Sequence, residues 1–205
     1  VLLLALAGCG GGDGPEGGSE GATATAAAPW EVWLVDQSDS DPEGRFGGML
    51  HIWDGAALEP LAAATSSGGA EAPAPTESID LAGATAELCL EATGASPVRP
   101  HMLLFNDEGT HGALAFVGSG HVAIMDARSR APVACFRMSE GAGGARQAHA
   151  AFPTADGRHI LVANQNGKLL ERIDTDWTAG SFLHNAEATL DLAQGTTPSG
   201  ALRED

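Results

Sequence analysis

The chain has 205 residues, and 27 Asp and Glu stand against 10 Lys and Arg, for a formal net charge of −17. A surface this negative excludes nucleic acid and anionic lipid headgroups as electrostatic partners, because both need basic neutralisation. It favours solubility and the attraction of cations, and an apolar fraction of 43 % is enough for a sizeable core.

Val1 to Ala7 are all apolar. The run is too short to span a bilayer and suits the hydrophobic part of a secretory signal. Leu6-Ala7-Gly8-Cys9 follows and resembles the lipobox of bacterial lipoproteins. Small residues before the cut fit a narrow peptidase groove, and a Cys thiol can carry a thioether-linked diacylglycerol. The resemblance implies cleavage before Cys9, lipidation of Cys9, and a membrane partner reached through that lipid, each buried CH₂ contributing about 0.8 kcal/mol. The expected address is the extracytoplasmic side of a bacterial cell envelope. Gly10 to Pro29 is built from Gly, Ser, Glu, Thr and Ala without apolar periodicity, and is expected to be a flexible linker.

From Trp30 onward, short apolar runs are split by turns. EVWLVD (Glu31 to Asp36), GMLHIWD (Gly48 to Asp54), HMLLF (His101 to Phe105), GALAFV (Gly112 to Val117), HVAIMD (His121 to Asp126), HILVAN (His159 to Asn164) and KLLERID (Lys168 to Asp174) read as strands. Their lengths and the absence of a long helical stripe predict an all-β fold. Glu59 to Ser78, rich in Ala, Ser, Gly and Pro, reads as a loose surface insertion.

The strands recur with a period of 48: Gly109 falls on Gly157, His101 on His149, His111 on His159 and Asp126 on Asp174. A four-strand unit at this spacing is the pattern of a propeller blade. Pro153 to Asp174, PTADGRHILVANQNGKLLERID, is similar to the repeat of YVTN-type (YncE-like) β-propellers, with Ala155 where a proline is usual. Asn106 to Asp126 is a looser copy without V-x-N, and Gly47 to Gly55 resembles the third strand of a blade. The resemblance implies four-stranded antiparallel blades belonging to a larger ring. The expected organisation is a signal remnant over 1–9, a linker over 10–29 and a partial propeller over 30–205, with blades at about 31–92, 100–139 and 149–193. The first blade shows only three strands, its innermost one missing. Val at position 1 and no closing element at Asp205 lead to the expectation of a ring incomplete at both ends.

Side chains that carry chemistry are few. His101 and His149 share the repeat position at the start of an innermost strand, near the channel mouth, where imidazoles from successive blades can converge on Zn or Cu. His111 and His159 belong to the opposite face, and His184 reads as a surface residue. Asp36, Asp39 and Asp41 could offer oxygens to Ca²⁺, but their spacing departs from the EF-hand loop, and a solvated hairpin loop is the simpler reading. Cys89 and Cys135 fall on what read as outermost strands of adjacent blades. Export would favour their pairing as a disulfide, against the splay of such strands and the roughly 7 Å limit on Cα separation. No G-x-S-x-G, C-x-x-C or P-loop occurs, so no catalytic residue is assigned. The expected function is a membrane-anchored binding or interaction scaffold for a small-molecule or protein ligand. The alternative is a metal-dependent propeller, lactonase-like or copper- or zinc-handling, using His at the channel mouth.

Overall fold

The structure is a computed structural model that describes residues 30–63 and 72–193. Cys9 and the linker lie outside the described residues. Three antiparallel sheets follow one another along the chain. The first holds β1 (Glu31–Asp36), β2 (Met49–Asp54) and β3 (Glu77–Asp80). Helices α1 (Gly55–Ala63) and α2 (Ala84–Thr93) flank β3 in sequence. The second sheet is the meander β4 (Pro100–Phe105), β5 (His111–Phe116), β6 (His121–Asp126) and β7 (Pro132–Arg137). The third is β8 (Ala148–Pro153), β9 (His159–Asn164), β10 (Leu169–Asp176) and β11 (Ser181–His184), with the short β12 (Leu190–Asp191) on the start of β10. The architecture is all-β: successive meanders stack face to face as propeller blades.

Strand direction locates each sheet in the ring. His101 and His149, each the second residue of its strand, lie side by side, so β4 and β8 begin beside one another, each at the inner edge of its blade. β1 runs opposite to β4. Gln37, just past its end, bonds His101 at the start of β4, while Trp33 meets Phe105 at the end of β4. A strand antiparallel to β4 holds the second position of a blade. Among the described residues, therefore, β1, β2 and β3 are the second, third and fourth strands of their blade, and none stands inside β1.

The middle blade is buried on both faces. Leu114, Phe116, Ala123 and Met125 pack with Leu50, Leu81, Cys89 and Cys135 towards the first blade. Ala113, Ala115, Val122 and Ile124 pack with Ala148, Ala151, Ile160, Val162 and Ile173 towards the third. Each fully buried large side chain contributes about 1.5–3 kcal/mol. Burial on both sides explains why β5 and β6 read as continuous apolar runs rather than alternating ones.

Two local expectations are corrected. Cys89 sits on α2, not on an outermost strand. The segment is rich in Ala, Leu and Glu, which favour helix. Thr85, Ala86 and Cys89 share its buried face, and Gly94 ends it in a left-handed turn (φ 75°) with its N–H on Leu90 O. The insertion is also shorter than Glu59 to Ser78, because α1 extends through Ala63 and Glu77 and Ser78 belong to β3. Since α2 lies against β7, the splay of outer strands does not apply: Cys89 and Cys135 form a disulfide with Cα atoms 5.1 Å apart. Linking residues 46 apart removes unfolded-chain freedom worth about 4 kcal/mol.

The same corner holds a buried histidine. His121 is fully buried. Its Nδ1 meets Ser119 Oγ at 2.8 Å and its Nε2 meets Thr93 Oγ1 at 2.9 Å. Thr93 donates its hydroxyl to Cys89 O, so Nε2 donates to Thr93, while Ser119, which accepts from Val98 N–H, has its own hydroxyl proton for Nδ1. Desolvation, reinforced by Arg137 and Arg146, pushes the pKa of His121 down to about 4 from an ordinary 6.5. As pH falls below 6.5 the unfolded chain takes this proton before the folded one. Stability is therefore expected to drop by about 1.4 kcal/mol per unit between pH 6.5 and about 4 and then level off for this group. In urea melts across that range the wild type should lose about this much more per pH unit than His121→Gln, whose remaining slope comes from carboxylates held below their ordinary values.

Candidate functional site

Both inner strands begin with a β-bulge, and a histidine stands on each. The β4–β5 register skips between Pro100 and Leu103, leaving His101 and Met102 out of the ladder, with Met102 in a left-handed conformation (φ 69°). The β8–β9 register skips between Ala148 and Ala150, leaving out His149. Bulges re-aim side chains at sheet rims. Here they bring the two imidazoles to a ring separation of 4.9 Å at a tilt of 59°. Gln37 Nε2 lies 2.7 Å from His101 Nδ1. A cleft of about 480 Å³ opens beside His149, walled by Asn164, Gln165, Leu170 and Leu192. Two imidazoles so placed could hold one Zn or Cu ion together. Among the described residues no third His, Cys, Asp or Glu completes a group around them.

The acidic loop is built differently from a cation site. Asp41 is buried and turned inward, accepting the backbone N–H groups of Glu43, Arg45 and Phe46 and pairing with Arg45. Burial alone would raise its pKa, but these donors outweigh burial and hold it below the ordinary carboxylate value. Asp36 caps Ser38 N–H, which lowers its pKa, and Asp39 accepts from Arg99 N–H. Each of the three serves a different part of the loop, and they do not converge on a common point among the described residues.

At the other end of the blades, the first residue of each second strand faces an acidic residue at or near the end of the third strand. The pairs are Glu31 with Asp54, His111 with Asp126, and His159 with Asp174. The hairpin of the next blade closes over the first two. Arg130 reaches Glu31 at 2.6 Å and Glu77 at 3.1 Å. Trp177 and Phe182 stack on His111 at 5.2 and 5.9 Å. In the third blade, His159 and Arg172 contact Asp174 at 3.0 and 2.7 Å, and Asn185 donates to it. His111 and His159 are thus blade-end residues.

One buried polar centre escapes sequence reasoning. Glu171 is fully buried. It accepts from Ser139 N–H at 2.9 Å, from Asn164 Nδ2 at 2.7 Å and from His184 Nε2 at 3.1 Å. Burial would raise its pKa, but His184, Ser139 and Asn164 together hold it below the ordinary value. His184 is therefore a structural partner, not a free surface residue. The signal was available in the period of two: Leu169, Glu171 and Ile173 share one face of β10, and that face is the buried one.

A scan against protein-family models and a search of curated proteins each found no match. Among solved structures, the chain is similar to a candidate 6-phosphogluconolactonase from Bacteroides fragilis, at 10 % identity and a TM-score of 0.47, over 79 % of this chain and 38 % of that one. It is similar to the periplasmic gluconolactonase PpgL of Pseudomonas aeruginosa, at 17 % identity and a TM-score of 0.46, over 82 % and 45 %. It is also similar to the β-propeller domain of Cps50 (Swd1) from Myceliophteria thermophila, at 15 % identity and a TM-score of 0.37, over 71 % and 53 %. The chain therefore spans about half or less of the length of each.

Removing Glu171 leaves Asn164, Ser139 and His184 without their acceptor. Glu171→Ala is expected to cost about 1–3 kcal/mol for each buried donor left unsatisfied, read as a lower midpoint in chemical denaturation. A cost below 1 kcal/mol would show that the carboxylate is dispensable to the third blade.

Proposed function

We propose that the chain is part of a β-propeller that serves as a binding or interaction scaffold, held by lipid on Cys9 at the extracytoplasmic side of a bacterial envelope. The observation that carries the scaffold reading is how the buried polar groups are spent. His121 and Glu171 both have their hydrogen bonds taken by the fold, as does Asn164, which donates to Ser139 O and Glu171 and accepts from Gln147 N–H. Recognition then falls to the two ends of the blades. The disulfide supports the address, since such bonds persist in oxidising compartments. Cells fed an alkyne-tagged palmitate should label the protein, and Cys9→Ser should remove the label and release the protein from the membrane pellet. Equal labelling with Ser at position 9, or no labelling at all, would sink the anchor.

A second reading is supported by the approach of His101 and His149: a metal-dependent propeller, lactonase-like or handling copper or zinc. The scaffold reading expects purified protein exposed to Zn and Cu to retain well under one equivalent after dialysis. Near-stoichiometric metal that vanishes in the His101→Ala/His149→Ala double variant would decide for the metal reading instead.

A further inference from the structure

We propose that the cleft between the first two blades, at the end opposite the histidine pair, binds a small quaternary ammonium ion. This rests on the binding-scaffold reading and gives it a ligand class.

The cleft is about 500 Å³ and is lined by Trp30, Glu31, Trp33, Phe105, Gly109 and Ala127, within the size of small-molecule sites. Its rings are unusually open to water, with Trp30 44 % and Phe105 37 % exposed. They are also held in place. Trp33 and Phe105 meet edge to face at 5.1 Å. Trp30 lies against Gly55, where a Cβ would come within 2.2 Å of the indole, so only glycine leaves room for it.

The charge around these rings selects a cation. Arg130 already lies over Trp33, its guanidinium carbon 5.5 Å from the ring centre, so this aromatic wall takes positive charge. Glu31 and Glu77 flank Arg130, and Asp54 stands opposite Glu31 in register. Asp107 and Glu108 precede Gly109 in the turn that forms one wall, while Arg128 is the other basic residue of the hairpin that contributes Ala127. Acids outnumber bases, on a chain of net charge −17. An anion is disfavoured, and a cation over the faces of Trp and Phe is attracted by their quadrupoles.

The hydrogen bonding narrows the cation further. Glu31 Oε2 already accepts from Trp33 Nε1 at 2.9 Å, and Oε1 accepts from Arg130 at 2.6 Å. Glu31 keeps about two of a carboxylate's roughly four acceptor sites, but the other lining residues, Trp30, Trp33, Phe105, Gly109 and Ala127, bring no side-chain acceptor for the further N–H groups of a primary ammonium. A quaternary ammonium has no N–H to satisfy and takes the electrostatic attraction and the apolar contact together.

The test compares choline with its uncharged isostere, 3,3-dimethylbutan-1-ol, by saturation-transfer NMR on the full chain at fixed ionic strength. Saturable choline binding is expected, with the isostere at least tenfold weaker and Trp30→Ala weakening choline at least tenfold. Equal binding of choline and the isostere would reduce the cleft to an apolar groove. Absence of saturable choline binding would also overturn the proposal. The wild-type comparison stands even if Trp30→Ala folds poorly. Failure here leaves the scaffold reading to its own test, because lipid labelling and metal retention do not involve this cleft.

Discussion

The middle blade can exist in water only because it is covered on both sides. β5 and β6 direct large side chains such as Phe116 and Met125 towards one neighbour, and Ala113, Ala115, Val122 and Ile124 towards the other. A sheet apolar on both faces gains its stability from stacking, so the three blades depend on one another as units of a repeat array do. The disulfide is part of this dependence. It ties α2, which leads from the first blade into the second, to the outermost strand of the second.

Within that stack some repeat positions keep their residue, as His101 and His149 do, and others change it. Asn164 and Glu171 form a buried polar pair in the third blade, and the residues 48 earlier are Phe116 and Ala123. The same slot is filled once by hydrogen bonds and once by a large ring beside a small side chain. Asn164 also accepts from Gln147 N–H at 2.8 Å and leaves no room for a Cβ at Gly167, which gives the V-x-N feature a physical role. The blade ends follow the same logic. Where the facing pair is Glu31 and Asp54, the next hairpin brings Arg130. Where it is His111 and Asp126, the next hairpin brings Trp177 and Phe182.

Much of the architecture was legible because strand period and repeat period are both carried by apolar side chains. EVWLVD and HVAIMD are strands as read, and GMLHIWD is one from its second residue, Met49. The unread parts lack that carrier. β3 is the four-residue ESID, too short and too polar to show alternation. α2 hides its helical face in Thr85, Ala86 and Cys89, only one of which stands out in the sequence. The proximity of His101 and His149 followed from the repeat, but their bulges did not, since a bulge is a register property of two paired strands and neither strand alone encodes it. The aromatic cleft was invisible for a similar reason: Trp33 and Phe105 are 72 positions apart in sequence and belong to different blades.

The two ends of β4 therefore carry different chemistry on one rigid element. His101 stands at its start and Phe105 at its end, four residues apart, which is roughly 13 Å at the rise of a strand. That exceeds the screening length of about 8 Å at physiological salt, so charge gained at one end is weakly felt at the other. A ligand over Trp30 and Phe105 cannot touch the imidazoles, and an ion between His101 and His149 cannot reach the aromatic wall. The link between them is mechanical: the bulge at Met102 sets the register of Leu103 to Phe105 on β5. Straightening that bulge would move both the histidine and the phenylalanine, whereas truncating either side chain would affect only its own end.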